Sequence, residues 1–191
     1  MKQDEVLSLF RRMGALLDGH FKLSSGLHSP AYLQCALVLQ HPAEAEKLGR
    51  ALAAMLPGAG ATAVLSPALG GLIIDHEVAR ALGVRAIFAE RVDGGLTLRR
   101  GFDLSPEDRV VVVEDVVTTG GSTRKTMEVA RAAGATVVAA AAVINRSGHA
   151  SPVDVPFAAM AAITPPTCKP DACPLCAKGI PVTKPGSRPG K

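Results

Sequence analysis

Four consecutive valines, Val110–Val113, run through RVVVVEDVV with no polar residue between them. A strand with one wet face alternates apolar and polar side chains, so this run must be covered on both faces. It is not alone. ATAVLSPA, VRAIFAER and TVVAAAAVINR are similar short apolar runs, and FAAMAAI at 157–163 supplies one more. Between them lie GLIIDHEVARAL, ended by Gly83, and GGSTRKTMEVARAAG, ended by Gly134, which read as helices. Strand, helix and strand in succession with short connections predict βαβ units, a parallel sheet and an α/β fold. Gly94-Gly95 marks a turn before LTLRR.

Before this alternation, Val6, Leu9, Phe10, Met13, Leu16 and Leu17 recur at helical spacing, which predicts a helix over the first 18 residues with Gly19 as its stop. Turn residues Ser24, Ser25, Gly26, Ser29 and Pro30 then precede a short apolar stretch at Tyr32 and Leu33. Pro42 opens a second helix, which Pro57-Gly58 closes. Beyond Ile163 the pattern stops. Residues 165–191 hold seven of the fourteen prolines and no helical or alternating periodicity, which reads as an arm lying on the body or on a partner subunit.

With 191 residues, 48% hydrophobic and 20% charged, the chain can bury a core, which excludes wholesale disorder. Aromatics at 3% argue against an aromatic-rich β-sandwich and leave little to stack bases. A net charge of +4, scattered rather than striped, favours anionic small molecules, phosphates above all, over nucleic acid. Apolar runs fall short of the ~18 residues a membrane span needs. MKQDEVLSLFRRMG lacks the apolar stretch of a signal peptide, so a soluble cytoplasmic protein is expected. Cys168, Cys173 and Cys176 form C-x4-C-x2-C, an incomplete zinc set that would need a fourth ligand from elsewhere; free thiols in a Pro-rich tail are the preferred reading.

Chemistry concentrates where the valine strand ends. Glu114 and Asp115 are followed by Thr118, Thr119, Gly120, Gly121, Ser122 and Thr123, which lead directly into a helix. In an open α/β sheet, ligands bind at the carboxyl ends of the strands. Glycines admit close backbone approach, and a helix start presents unpaired N–H groups to an anion. Two carboxylates beside a phosphate cradle would repel phosphate, so they must serve ribose hydroxyls or a divalent cation. A ribose 5-phosphate satisfies both halves. The alternative is a solvated turn with a helix cap, which needs only one such residue.

VVVVEDVVTTGGST resembles the phosphoribosyl-diphosphate signature of type I phosphoribosyltransferases, with Glu114 in place of the first of two usual Asp residues. FKLSSGLHSPAYLQC resembles the N-terminal hood of the orotate-using branch, SPALGGLIIDHEVARALG its diphosphate loop, FAERVDGGLTLRRGF the start of its mobile loop, and INRSG its base-site arginine segment. The resemblance implies a phosphoribosyltransferase domain over 1–164, with a hood over about 1–40, and a Pro-rich arm over 165–191. It implies transfer of phosphoribosyl from phosphoribosyl diphosphate to orotate, with Mg²⁺ carried by the substrate, in a homodimer with shared active sites.

By the same resemblance, Glu114 and Asp115 would hold ribose hydroxyls, and Val116, Val117, Thr118, Thr119, Gly120, Gly121 and Ser122 would surround the 5-phosphate. Thr118, Arg146 and Tyr32 would meet orotate, and Arg91 the diphosphate. Arg91, Arg99, Arg100 and Asp115 would carry catalysis, and His28 could reach the base. The chain departs from the family at Ser24 and at Gly70-Gly71, where lysines are usual, and in its mobile loop, whose cations are Arg99 and Arg100. A purine-using relative and a non-catalytic sensor of phosphoribosyl diphosphate are the competing expectations.

Overall fold

The structure is a computed structural model that describes residues 1–23, 25–56 and 60–185. Ser24, the Pro57-Gly58 helix stop and residues 186–191 of the expected arm lie outside the described residues. The chain builds a six-stranded sheet in the order β5-β4-β3-β6-β7-β8. Its members are β3 (Ala63–Pro67), β4 (Arg85–Val92), β5 (Gly95–Leu98), β6 (Arg109–Val117), β7 (Thr136–Asn145) and β8 (Phe157–Ala162). All neighbours are parallel except β5, which returns antiparallel along β4 after the Asp93-Gly94 turn.

The valine run is covered on both faces, as expected. Val111 and Val113 join a core with Leu48 and Leu52 of α3 (Pro42–Ala53) and with Ile74 and Val78 of α4 (Leu72–Leu82). Val110 and Val112 join the opposite core with Met127 and Ala130 of α5 (Gly121–Ala132). Period-two alternation therefore sorts one continuous apolar string onto two helical layers. Gly49 marks where α3 and α4 meet: a Cβ there would lie 2.4 Å from Glu77 Cβ.

The N-terminal expectation needs correction. Helix α1 is Gln3–Arg12, and Gly14, at φ 66°, ends it, with Ala15 N–H closing on Phe10 O. Leu16 and Leu17 continue the helical spacing by coincidence, because they begin a strand, with Leu16 buried and Leu17 exposed. That strand, β1 (Leu16–Lys22), pairs antiparallel with β2 (His28–Leu33) to make the hood hairpin, and the short helix α2 (Ala36–Leu39) leads back to the body. Register slips between Asp18 and Phe21, where an extra residue on β1 lets His20 and Phe21 be buried in succession.

The arm is not without structure. A 3-10 turn (Pro170–Ala172) precedes a short helix, α6 (Pro174–Ala177). Cys168 bridges β2 at His28 and Thr183 bridges β1 at Phe21, so the arm flanks both edges of the hairpin. Proline spacing hid this, since bridges of a few residues need no periodicity.

Candidate active site

Strands β3, β6 and β7 are neighbours and parallel, so their carboxyl ends deliver three loops to one place. On β6 the alternation that sorts the valines also separates the acids. Glu114 follows Val110 and Val112 to the α5 side, where it accepts a hydrogen bond from the Thr123 hydroxyl. Asp115 follows Val111 and Val113, accepts from its neighbour's N–H at Val116 (2.8 Å) and faces the 68–71 loop. A Cβ at Gly70 would lie 2.9 Å from Asp115 Oδ1, and one at Gly71 would lie 2.8 Å from Ser66 Cβ. Gly70 therefore packs closely on the acid, and Gly71 on the strand ends beside it. A side chain such as the family's usual lysine does not fit this packing without movement.

Glu114 is buried and Asp115 half-buried. Burial pushes the Glu114 carboxyl up to about 7, against the pull of the Thr123 hydroxyl and with the Asp115 charge adding to the rise. Burial likewise raises Asp115, opposed by its hydrogen bond from Val116. A carboxyl poised near neutrality is what a hydroxyl-binding or cation-binding position in a dry site would show.

The next residues make the cradle. Thr118 and Thr119 are exposed, and Gly120 takes a left-handed conformation (φ 74°) at the N-cap of α5. Any Cβ at Gly120 would sit 2.9 Å from Pro152 O. Arg124, one turn into α5, donates to Thr119 O (2.9 Å) and Pro152 O (2.7 Å), clamping the loop from behind. The first turn of α5 then presents N–H groups with no carbonyl behind them.

From β7 comes Arg146, whose N–H donates to Val117 O at 2.7 Å. Its side chain is half-buried and its Nε has no hydrogen-bond partner among the described residues. Burial lowers the guanidinium's pKa, and buried Cys35, whose sulfur lies 3.7 Å from Asp115 O, stands close by. Asn145 braces this turn: its amide donates to His149 O (2.8 Å) and its oxygen accepts from Ser147 N (2.9 Å) and Oγ (2.7 Å).

Thr118, Thr119, Arg146 and Tyr32, all named from sequence, line one cavity of about 700 Å³, within the size range of small-molecule sites. Glu114 and Asp115 precede it on the strand. Its far wall was not foreseen: Lys22 of the hood, and Thr164, Thr167 and Lys184 from the end of β8 and the arm. Nothing local distinguishes these lysines; only the fold brings them opposite Arg146, where three cations surround a space with apolar edges. Val116, Val117, Gly120, Gly121 and Ser122 complete the strand-to-helix turn beneath it.

Other expectations fare differently. Arg91, Arg99 and Arg100 do not line the cavity. Arg91 is exposed near the end of β4, paired in register with Leu96. Arg100 donates to Glu90 Oε1 (2.5 Å) and lies over the Phe88 ring, and Arg99 lies 3.8 Å from the same carboxylate. His28 does not reach the base position: it is buried, with Nδ1 2.9 Å from His20 Nε2. Its ring turns toward His20 on the neighbouring strand.

Thr118, Thr119 and Arg146, whose Nε is unsatisfied among the described residues, line one chamber, and the two acids stand just before it on β6. The family described as "Phosphoribosyl transferase domain" matches residues 37–164. An orotate phosphoribosyltransferase of Pelotomaculum thermopropionicum is 52% identical over 98% of this chain and 99% of its own length. One from Heliobacterium modesticaldum is 53% identical over 98% of this chain and all of its own. The crystal structure of orotate phosphoribosyltransferase from Aeropyrum pernix superposes with a TM-score of 0.71 at 28% identity, covering 83% of this chain and 93% of that one. Among the described residues no helix is long and apolar enough to cross a membrane.

Proposed function

Since the chain belongs to the phosphoribosyltransferase family, we propose that it transfers the 5-phosphoribosyl group of phosphoribosyl diphosphate to orotate, giving orotidine 5-phosphate and diphosphate for pyrimidine nucleotide synthesis. One observation carries the reading: the half-buried Arg146, its Nε unpartnered, stands in the same cavity as Thr118 and Thr119 of the cradle. The cradle takes the 5-phosphate through the amides and hydroxyls of Thr118–Ser122. Glu114 and Asp115 accept from ribose hydroxyls. Arg146, with Lys22 and Lys184 opposite, receives the anionic base, and Tyr32 lies against its ring. A guanidinium fork matches carboxylate geometry.

Orotate arrives as an anion, so no protein base or nucleophile is needed. The anomeric carbon passes through an oxocarbenium-like state as negative charge builds on departing diphosphate. Catalysis then lies in holding the two reactants in line and in placing cations on the leaving group. Glu114 and Asp115 fit Mg²⁺ that enters with the donor, since this ion is usually held by one or two carboxylates plus substrate phosphates. When bound, the ion neutralises diphosphate charge. Arg91, Arg99 and Arg100 are exposed on the β4–β5 hairpin. In a cytoplasmic homodimer this hairpin reaches the diphosphate of the neighbouring subunit after releasing Glu90.

The test is an absorbance assay with protein, Mg²⁺, phosphoribosyl diphosphate and orotate. Consumption of orotate is expected. Silence there with turnover of hypoxanthine or xanthine overturns the choice of base.

A further inference from the structure

Away from the reacting groups, the hood and the arm bring together four side chains that the transfer reaction does not use. His20 lies on β1, His28 on β2, Cys173 at the N-cap of α6 and Cys176 within α6; one ligating atom from each lies within 4.8 Å of all the others. We propose that His20, His28, Cys173 and Cys176 form a tetrahedral Zn²⁺ site that staples the C-terminal arm to the hood hairpin.

Geometry is the first argument. Zinc bonds of about 2.3 Å to sulfur and 2.0–2.1 Å to nitrogen set tetrahedral edges of about 3.3–3.8 Å. His20 Nε2 lies 3.5 Å from Cys173 Sγ and 3.7 Å from Cys176 Sγ, while Cys176 Sγ lies 3.3 Å from His28 Nδ1. The two ring nitrogens, 2.9 Å apart, need to part only slightly. Proton positions agree. His20 Nδ1 is 2.7 Å from Ile180 O, and a carbonyl can only accept, so Nδ1 carries the hydrogen. Nε2 is left with its lone pair aimed at the other three ligands, the arrangement outer hydrogen bonds impose on metal-binding imidazoles.

Local structure builds the same centre from both sides. The register slip between Asp18 and Phe21 turns His20 inward beside Phe21. On the arm, Cys173 and Cys176 bracket Pro174-Leu175, and the amides of Leu175 and Cys176 face the Cys173 sulfur, as suits a thiolate. His20, His28 and Cys173 are 3%, 5% and 3% exposed, whereas Cys176 is exposed and leaves an entry path. Two thiolates and two neutral imidazoles around a divalent ion sum to zero charge, the state that costs least to bury. Thiolate with imidazole in tetrahedral array selects zinc over harder cations.

Three cysteines stand close together in the sequence, one ligand short of a zinc set. Instead the centre drops Cys168, whose sulfur lies 3.8 Å from His28 O, and recruits both histidines across more than 140 residues. On either side of it the arm bonds the hairpin through Cys168 with His28 and Thr183 with His20. Lys22 and Lys184, which line the cavity, lie just beyond these bonds, so the staple fixes that wall.

Zinc content of the untagged full-length chain, purified under reducing conditions, decides the matter. About one Zn²⁺ per chain is expected, removable by chelation with a fall in melting temperature and restored by Zn²⁺ alone. Co²⁺ in its place is expected to give the visible bands of a tetrahedral thiolate site. Cys176→Ser, at an exposed position, is expected to weaken Zn²⁺ by more than the ~10–100-fold that loss of an outer partner costs. Cys168→Ser is expected to retain it. A wild-type chain that is zinc-free and fails to take up added Zn²⁺ overturns the proposal. So does zinc that survives Cys176→Ser combined with His20→Ala, or zinc lost only with Cys168.

Discussion

The cavity has two walls made in opposite ways. The wall at the end of β6 belongs to ten contiguous positions, 114–123, in which strand pleat, glycine conformation and helix start set the backbone and of which Thr118 and Thr119 line the cavity. The facing wall is gathered from the hood at 22–34 and from residues 164–185, segments joined by a few backbone bonds and the His/Cys cluster. The first is a local consequence of backbone geometry. The second exists only when distant segments meet. The lesson is that the proposed phosphate cradle can be written into one stretch of chain, while the proposed pocket for the base depends on tertiary assembly.

Substitutions at each wall can break or sharpen that contrast. The largest effect is expected at the contiguous wall: Asp115→Asn lowers turnover roughly 10²–10³-fold, the loss typical of one transition-state contact. Steady-state kinetics with circular dichroism as a fold check would measure it; normal turnover with normal donor affinity would remove Asp115 from the site. Arg146→Ala, at the seam, removes a charge-assisted hydrogen bond worth about 1.5–3 kcal/mol. It should therefore raise the orotate KM by roughly 10–10²-fold while sparing the donor KM. Equal losses on both substrates would place Arg146 on the shared scaffold.

The buried Glu114 supplies a pH test on the first wall. Its carboxyl, raised to about 7, holds a proton below neutrality and can accept from two ribose hydroxyls only once ionised. Donor affinity is thus expected to climb as pH rises through 7, by up to about tenfold per unit below it. Titration calorimetry between pH 6 and 8 would follow this, and Glu114→Gln should flatten the curve. If the wild-type curve is already flat, the carboxylate is not what the donor binds. The smallest effect belongs to the assembled wall. Lys184→Ala, a cation on a cavity with open edges, should raise the orotate KM by a few-fold, about 0.2–1 kcal/mol. A change in donor KM instead would mean that the arm faces the phosphate.

Legibility followed the same division. The valine run and the two-faced sheet could be read because strand period and helix period leave marks within a few residues. The Glu114–Ser122 turn was equally plain. Leu16 and Leu17 misled because two residues past Gly14 they fit a helix and a strand alike. Lys22, Lys184 and the partnership of His20 with Cys173 left no local mark, since their meaning lies in contacts spanning up to 163 positions. Arg99 and Arg100 could be seen as cations, but nothing in the sequence tied them to Glu90.

The bond between Thr183 N–H and His20 O has a consequence for how the molecule comes into being. During synthesis the sheet, the cradle and both acids emerge well before residues 168–183, so the wall at the end of β6 can form while the facing wall is still missing. The facing wall closes only once residues 168–183 have met the hood, so the order of synthesis sets the order in which the two walls form.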